Sequence, residues 1–291
     1  MLVHIKEVMK YAKNKHKAIG AFNVHGIESI LGVARGVLCA NSPAIIQVSE
    51  STIEYIGLKP ITHLVATVAK NVATDVPIAL HLDHGRSLKS VLECIRAGFT
   101  SVHIDASDLP LDENIYLTKR VVEIAHAKNV WVQGEVGAII GGHGQQGGKL
   151  KGIPIADPAD VIRFVKETGV DTIAAAVGTA HGIYTNETIN FEVLKKIKDK
   201  VKIPFVLHGA SGLSEITLRK GIAAGVNIIN VGSDVKVAFS TTLIKTCLAN
   251  RRETDPRKLL APTIDAVKSV VCQRIELFGT KNHVRRGSIK N

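Results

Sequence analysis

Residues 77–105, PIALHLDHGRSLKSVLECIRAGFTSVHID, hold the repeating unit of the architecture. Residues 77–82 form a short apolar run of strand length. Leu88, Val91, Leu92 and Ile95 then recur at the i, i+3, i+4, i+7 spacing of a helix face, and 100–104 form a second strand. The unit is strand, helix, strand. Outward from it the same alternation continues, with strand-like runs at 18–22, 44–48, 130–133, 171–177, 203–207 and 226–231. Asp157 and Pro158 supply an N-cap and an N1 proline before Val161, Phe164 and Val165, and Ser214 can cap the segment carrying Ile216, Leu218 and Ile222. Strands apolar on both faces and alternating with helices form a parallel sheet. Eight of them predict closure into a single-domain (β/α)8 TIM barrel. A doubly wound open sheet is the alternative, but the turn after the first strand, Asn23-Val24-His25-Gly26, is not a phosphate-binding glycine turn. Segments near 235–250 and 262–278 complete the helical layer. The barrel is expected over 1–280, with a basic, frayed tail at 281–291.

The chain has 291 residues, 45% of them hydrophobic and 22% charged, which supports a large core and excludes disorder. No apolar run is long enough to span a bilayer. The start, MLVHIKEVMKYAK, lacks the apolar core of a signal peptide, so a cytoplasmic protein is expected. Cys39, Cys94, Cys247 and Cys272 are scattered without a CxxC pair and read as reduced, mostly buried thiols rather than a metal-binding group. The net charge of +11 suits anionic partners. Aromatics are only 4%, too few for base-stacking platforms, so neither nucleic acid nor a membrane is the expected partner.

Active sites of such barrels lie where the strands end. Here the strand ends read His81-Leu82-Asp83-His84-Gly85, Ile104-Asp105, Gln133-Gly134-Glu135, Gly178-Thr179-Ala180-His181-Gly182, His208-Gly209-Ala210-Ser211-Gly212 and Asn230-Val231-Gly232-Ser233-Asp234. His84, His181 and His208 follow three different strands, each directly before a glycine. Three converging imidazoles suit a catalytic Zn2+ or another divalent metal. Asp83 is placed as an acid–base group beside them. His81 and His103 lie deeper in their strands and read as core or supporting residues. Asp105 and Glu135 read equally as a second cation site or as hydrogen-bonded scaffolding. The small residues of Gly209-Ala210-Ser211 and Asn230-Val231-Gly232-Ser233 expose backbone N–H groups where barrels commonly hold phosphate. Residues 134–152 hold eight glycines and read as a mobile lid.

HLDHG (81–85), GTAHG (178–182), LHGASGL (207–213) and INVGSD (229–234) resemble the class II, metal-dependent ketose-bisphosphate aldolases. The similarity runs from AFNVHGIES near the start to DPRKLLAP near the end. It implies a (β/α)8 barrel in which zinc is held by His84, His181 and His208, and in which Asp83 is the acid–base. Gly182, Gly209–Ser211 and Asn230–Ser233 would hold a dihydroxyacetone phosphate half, with Asn23 and Ser49 near it. A monovalent cation assisting phosphate, and a homodimer or homotetramer, are further implications. The expected reaction is reversible cleavage of fructose- or tagatose-1,6-bisphosphate, or of a related deoxygluconate phosphate, to dihydroxyacetone phosphate and an aldehyde (glyceraldehyde 3-phosphate for the two bisphosphates).

Two departures stand out. The family's V-E-A-E-L-G reads Val132-Gln133-Gly134-Glu135-Val136-Gly137 here, and its acidic loop reads Gly141-Gly142-His143-Gly144-Gln145-Gln146. The loop carboxylate that serves the nucleophilic carbon is therefore missing, leaving His143, Glu135 or water for that proton. Two other readings stay open on the residues alone: a metal-dependent hydrolase, and a phosphosugar-binding protein with little turnover.

Overall fold

The computed structural model describes residues 1–12, 16–146, 152–184 and 187–284. Eight parallel strands close into a barrel: β1 (Ile19–Asn23), β2 (Ala44–Ser49), β3 (Ile78–Gly85), β4 (Ser101–Ile104), β5 (Trp131–Val136), β7 (Thr172–Ala175), β9 (Phe205–Leu207) and β10 (Val226–Val231), with β10 pairing back onto β1. The two remaining strands, β6 (Gly141–Gln146) and β8 (His181–Ile183), pair with each other outside the barrel. The expected barrel is thus present, and the doubly wound sheet is not.

The helical layer begins with α1 (Ile5–Met9), α2 (Ile27–Ala40), α3 (Glu50–Ile56), α4 (Leu58–Asn71), α5 (Leu88–Arg96) and α6 (Leu111–His126). It continues with α7 (Pro158–Thr168), α8 (Phe191–Lys200), α9 (Glu215–Ala223), α10 (Ser233–Ala249) and α11 (Pro256–Leu277). The expected caps form. Asp157 accepts from the Ala159 N–H with Pro158 inside the first turn, and Ser214 accepts from the Thr217 N–H. Each supplies an acceptor for an N–H that the helix cannot pair internally.

The core has two parts. The larger lies between strands and helices, where Phe22, Phe99, Phe164 and Phe205 are fully buried. The smaller fills the N-terminal end of the barrel, where Ile5, Val8 and Met9 of α1 plug the bore over Ile19, Ile45, Val206 and Ile228. α11 packs along α2 at close range. A Cβ added at Gly32 would lie 2.6 Å from Val267, and one at Gly36 would lie 2.7 Å from Val271.

Three details differ from the sequence reading. The ordered fold runs past 280: Asn282, His283 and Val284 donate to the carbonyls of Ala40 and Asn41, and Val284 is buried. Residues 285–291 lie outside the described residues. The thiols are not mostly buried, since Cys39 and Cys247 sit exposed on helix surfaces and only Cys94 is enclosed. The 134–152 segment is not one continuous loop, because 141–146 form β6 beside β8. Glycines carry little strand propensity, so only the tertiary pairing makes this strand. Residues 147–151 of the expected lid lie outside the described residues.

Candidate active site

The register sets the site. β2 and β3 pair from Ala44↔Ile78 to Ser49↔Asp83, so Asp83 ends level with Ser49 at the C-terminal mouth. β3 then slips against β4 between Leu82 and Gly85. In that irregularity His84 adopts φ 52°, a left-handed conformation uncommon for a residue with a Cβ. Its backbone N–H donates to His103 Nδ1 at 3.3 Å. Gly85 must follow, because a Cβ there would lie 2.7 Å from the His103 carbonyl.

The three strand-end imidazoles come together. His84 Nε2 lies 3.0 Å from His208 Nδ1, and His181 Nε2 lies 3.4 Å from the same atom. The His181 ring stands edge-on to His84 with centroids 5.0 Å apart. A tetrahedral zinc with nitrogen ligands at about 2.0–2.1 Å separates those nitrogens by about 3.4 Å, which these spacings approach. Two further groups of ligand-capable atoms lie mutually within 4.8 Å: Asp83, His84, His103 and His208, and His84, His103, Asp105 and Glu135. His181 belongs to neither group but borders both, its Nε2 meeting His208 Nδ1 and its ring standing against His84. His103, read from sequence as a core or supporting residue, belongs to both while being completely buried. Its position inside β4, one residue before the strand end, concealed this.

The far ring nitrogens of His84 and His208 are held. His84 Nδ1 is 2.6 Å from Asp105 Oδ2, whose other oxygen accepts from the Ser107 N–H and hydroxyl. A carboxylate on Nδ1 fixes the proton there and leaves Nε2 as the lone-pair nitrogen. His208 Nε2 meets the side-chain amides of Gln133 at 3.0 Å and Asn230 at 3.3 Å. Gln133 therefore occupies the position behind His208. The neighbouring Gly134 is required by packing, as a Cβ there would lie 2.5 Å from the Phe164 ring.

Asp83 is buried and held from two sides. Asn23 donates to its Oδ2 at 2.7 Å and Gln47 to its Oδ1 at 3.0 Å. Glu135 Oε1 accepts from the Ser107 hydroxyl, while its Oε2 is buried without a hydrogen-bond partner, 3.7 Å from His103 Nε2 and 3.9 Å from His208 Nδ1. Burial alone would keep Glu135 neutral, and it pushes the carboxyl up to about 8 despite the opposing pull of His84. Burial also disfavours the His84 imidazolium, but Asp83, Asp105 and Glu135 together outweigh it and raise that ring to about 9. Asp105 is drawn below the usual carboxylate range because its hydrogen bond to His84, with His103 nearby, outweighs its burial. A cluster of nitrogens and carboxylates with an orphaned buried oxygen is short of positive charge. A divalent cation fits that donor set.

Beside the cluster, Asn23, Gly182, Gly209, Ala210, Ser211, Asn230, Gly232 and Ser233 line one small cavity together with Asp83 and His181. Gly209 has φ 65° and passes so close to Ala180 that a Cβ would strike its carbonyl at 2.3 Å. Ser233 opens the 17-residue α10, whose N-terminal N–H groups and dipole favour an anion. Val231 differs from its neighbours: its side chain is buried in the core. Ser49 lines a second cavity of about 400 Å³ with Asp83, His84, Asp105, Glu135 and His181. Lys236, in the first turn of α10, escaped the sequence reading because it lies beyond the strand end. Burial lowers its ammonium while Asp83 draws it back up.

The family profile described as fructose-bisphosphate aldolase class-II matches residues 3–283. The chain is 37% identical to the 6-phospho-5-dehydro-2-deoxy-D-gluconate aldolase of Bacillus licheniformis, over 96% of this chain and 95% of that protein. It is 36% identical to the fructose-bisphosphate aldolase of Geobacillus stearothermophilus, over 96% and 97% respectively. Its fold superposes on the YdjI aldolase from Escherichia coli K12 with a TM-score of 0.83 at 30% identity, covering 98% of this chain and all of that one. Together with the closed barrel and the strand-end histidines, these matches place the chain in the class II fructose-bisphosphate aldolase family.

Proposed function

We propose that the protein cleaves and forms a carbon–carbon bond in a ketose bisphosphate, with dihydroxyacetone phosphate as the nucleophilic half. The observation that carries this reading is the meeting of His84, His181 and His208 at 3.0 and 3.4 Å with Asp83 alongside. These three imidazoles would hold the divalent cation, zinc being the best match to an all-nitrogen set. When bound, such a cation supplies a Lewis acid for the substrate carbonyl and its developing negative charge.

The remaining roles belong to side chains and backbone. Gly209–Ser211 and Gly232–Ser233 hold the phosphate through N–H and hydroxyl donors at the start of α10. Gly182 lets that half of the substrate approach the backbone, and Asn230 and Asn23 orient it. Asp83, kept as an acceptor by Asn23 and Gln47, takes the C4 hydroxyl proton in cleavage and returns it to the aldehyde oxygen in condensation. Asp105 holds His84 in its productive tautomer and Gln133 orients His208. Glu135, buried among His84, His103 and Asp105, serves as a second cation ligand or as the group that moves the proton at the nucleophilic carbon. His143 of β6 is the other candidate for that proton.

The substrates favoured are fructose- and tagatose-1,6-bisphosphate, with the deoxygluconate phosphate named for the Bacillus relative as the competitor. Turnover of all three by zinc-loaded protein decides among them. Chelation is expected to abolish cleavage and added zinc or cobalt to restore it. Full activity in protein shown by elemental analysis to be metal-free overturns the reading, as does release of inorganic phosphate in place of triose phosphate.

A further inference from the structure

We propose that the cavity at the N-terminal end of the barrel, opposite the active site, binds a small, multiply phosphorylated anion. This cavity of about 400 Å³ opens beside α1 and is lined by Lys6, Lys10, Lys198, Lys202, Trp131 and Asn227 among others. Its size falls in the range of small-molecule sites.

The charge of the wall is lopsided. Lys10 is paired with Glu7 at 2.5 Å, but among the described residues no carboxylate lies within ion-pair distance of Lys6, Lys198 or Lys202. Lys198 is half-buried. Its stem lies over Gly225, where an added Cβ would come within 3.0 Å of Cε, and its ammonium donates to the Ile203 carbonyl at 2.9 Å. Lys202 donates to the Asp199 carbonyl at 2.8 Å, so both ammonium groups are gathered at the end of α8. Burial and then the neighbouring Lys202 lower Lys198 to about 8, the response of an ammonium that lacks a counter-charge. A bound anion would relieve both effects.

The donors point to phosphate rather than to a planar carboxylate. Among the described residues the wall contains no arginine fork, and its cations are compact ammonium groups with three N–H donors each. Asn227 accepts from the Phe205 N–H at 3.0 Å through its side-chain oxygen, which leaves both N–H donors of its amide for a ligand. Trp131, the first residue of β5, forms a partly exposed aromatic wall beside the lysines. None of these residues belongs to the cluster at the other end of the barrel, and aldol chemistry makes no use of them.

Trp131 is the only tryptophan of the chain, so its emission reports on this cavity. Inorganic tripolyphosphate and ATP are titrated into the full-length protein at about 0.15 M salt, where weak surface pairing is screened. Both are expected to give a saturable change in emission. The paired substitution Lys6→Gln and Lys202→Gln, on exposed side chains, is expected to weaken binding at least about tenfold while leaving aldol turnover intact. Lys198→Gln should do the same, and the first pair carries the test if that variant fails to fold. Ser211→Glu, which repels anions from the catalytic mouth, should keep the response. The proposal is overturned by the absence of a saturable change, or by unchanged affinity in the lysine variants. It is equally overturned by a response that Ser211→Glu abolishes, or by one given by ATP and not by tripolyphosphate.

Discussion

At the residue scale, the site rests on what stands behind each imidazole. His84 is aimed by a left-handed backbone and held by Asp105, and its Nε2 is thereby left to face His208. Asp105→Asn removes the charge behind Nδ1 while keeping the shape. It should cost about 10–100-fold in zinc affinity, read by competition with a chromogenic chelator, and an unchanged affinity would remove Asp105 from the site's design. Asp83 acts differently. Its carboxylate is fixed by Asn23 and Gln47, so Asp83→Ala should keep the fold and the metal but lower turnover by about 10²–10⁴-fold. Circular dichroism and bound-metal analysis separate that outcome from misfolding. HLDHG and the other histidine-bearing strand ends were legible in the sequence because a strand end is a one-dimensional position. His103 was not, because its membership of the cluster depends on the slip between β3 and β4.

At the element scale, the longest helix depends on two missing side chains. α11 approaches α2 where Gly32 and Gly36, one turn apart, face Val267 and Val271. A methyl at either glycine has no space and must push the helices apart. Gly36→Ala is therefore expected to destabilise the protein by about 1–3 kcal/mol, even though alanine is the better helix former. Thermal unfolding checks this, and a raised melting temperature would show that α11 can shift at little cost. The helices themselves were readable from apolar spacing and from caps such as Asp157 and Ser214. β6 was hidden: its six residues include three glycines, and its partner β8 lies far along the chain. Local sequence carries no record of such a pairing.

At the scale of the whole molecule, the buried charges of the barrel mouth set a stability profile for the metal-free protein. Burial lowers His81 to about 4 and His103 to about 3. Below an ordinary histidine value of about 6.5 the unfolded chain therefore takes up protons that the fold refuses, and stability falls as pH drops. Glu135, raised to about 8, and His84, raised to about 9, behave in the opposite sense. Their contributions are complete at low pH and are lost as pH climbs through those values. Between about 4.5 and 6.5 the two histidines are offset by Glu135 and by Glu187, which burial raises to about 7, and from 6.5 to 8 the losses of Glu135 and His84 prevail. The melting temperature of chelator-treated protein should thus be highest between about pH 4.5 and 6.5 and fall from there towards pH 8. A steady rise from pH 6.5 to 8 would contradict the burial of these groups.

The alternation of eight apolar strands with capped helices, and hence the barrel, is written in the order of the residues. So is the placing of three histidines and of the small-residue loops at the strand ends. Those features are local: strand length, helical spacing, capping side chains and the residue that follows a strand are all written within a few positions. It took the folded barrel to bring His103 to His84 and His208, to set Asp105 behind one ring and Gln133 behind another, and to pair β6 with β8. It alone also gathered Lys6 of α1, Lys198 of α8 and Lys202 just beyond α8 around Trp131. The physical reason is common to all of them. Each depends on the register between strands or the closure of the barrel, and closure is settled by the packing of the whole core.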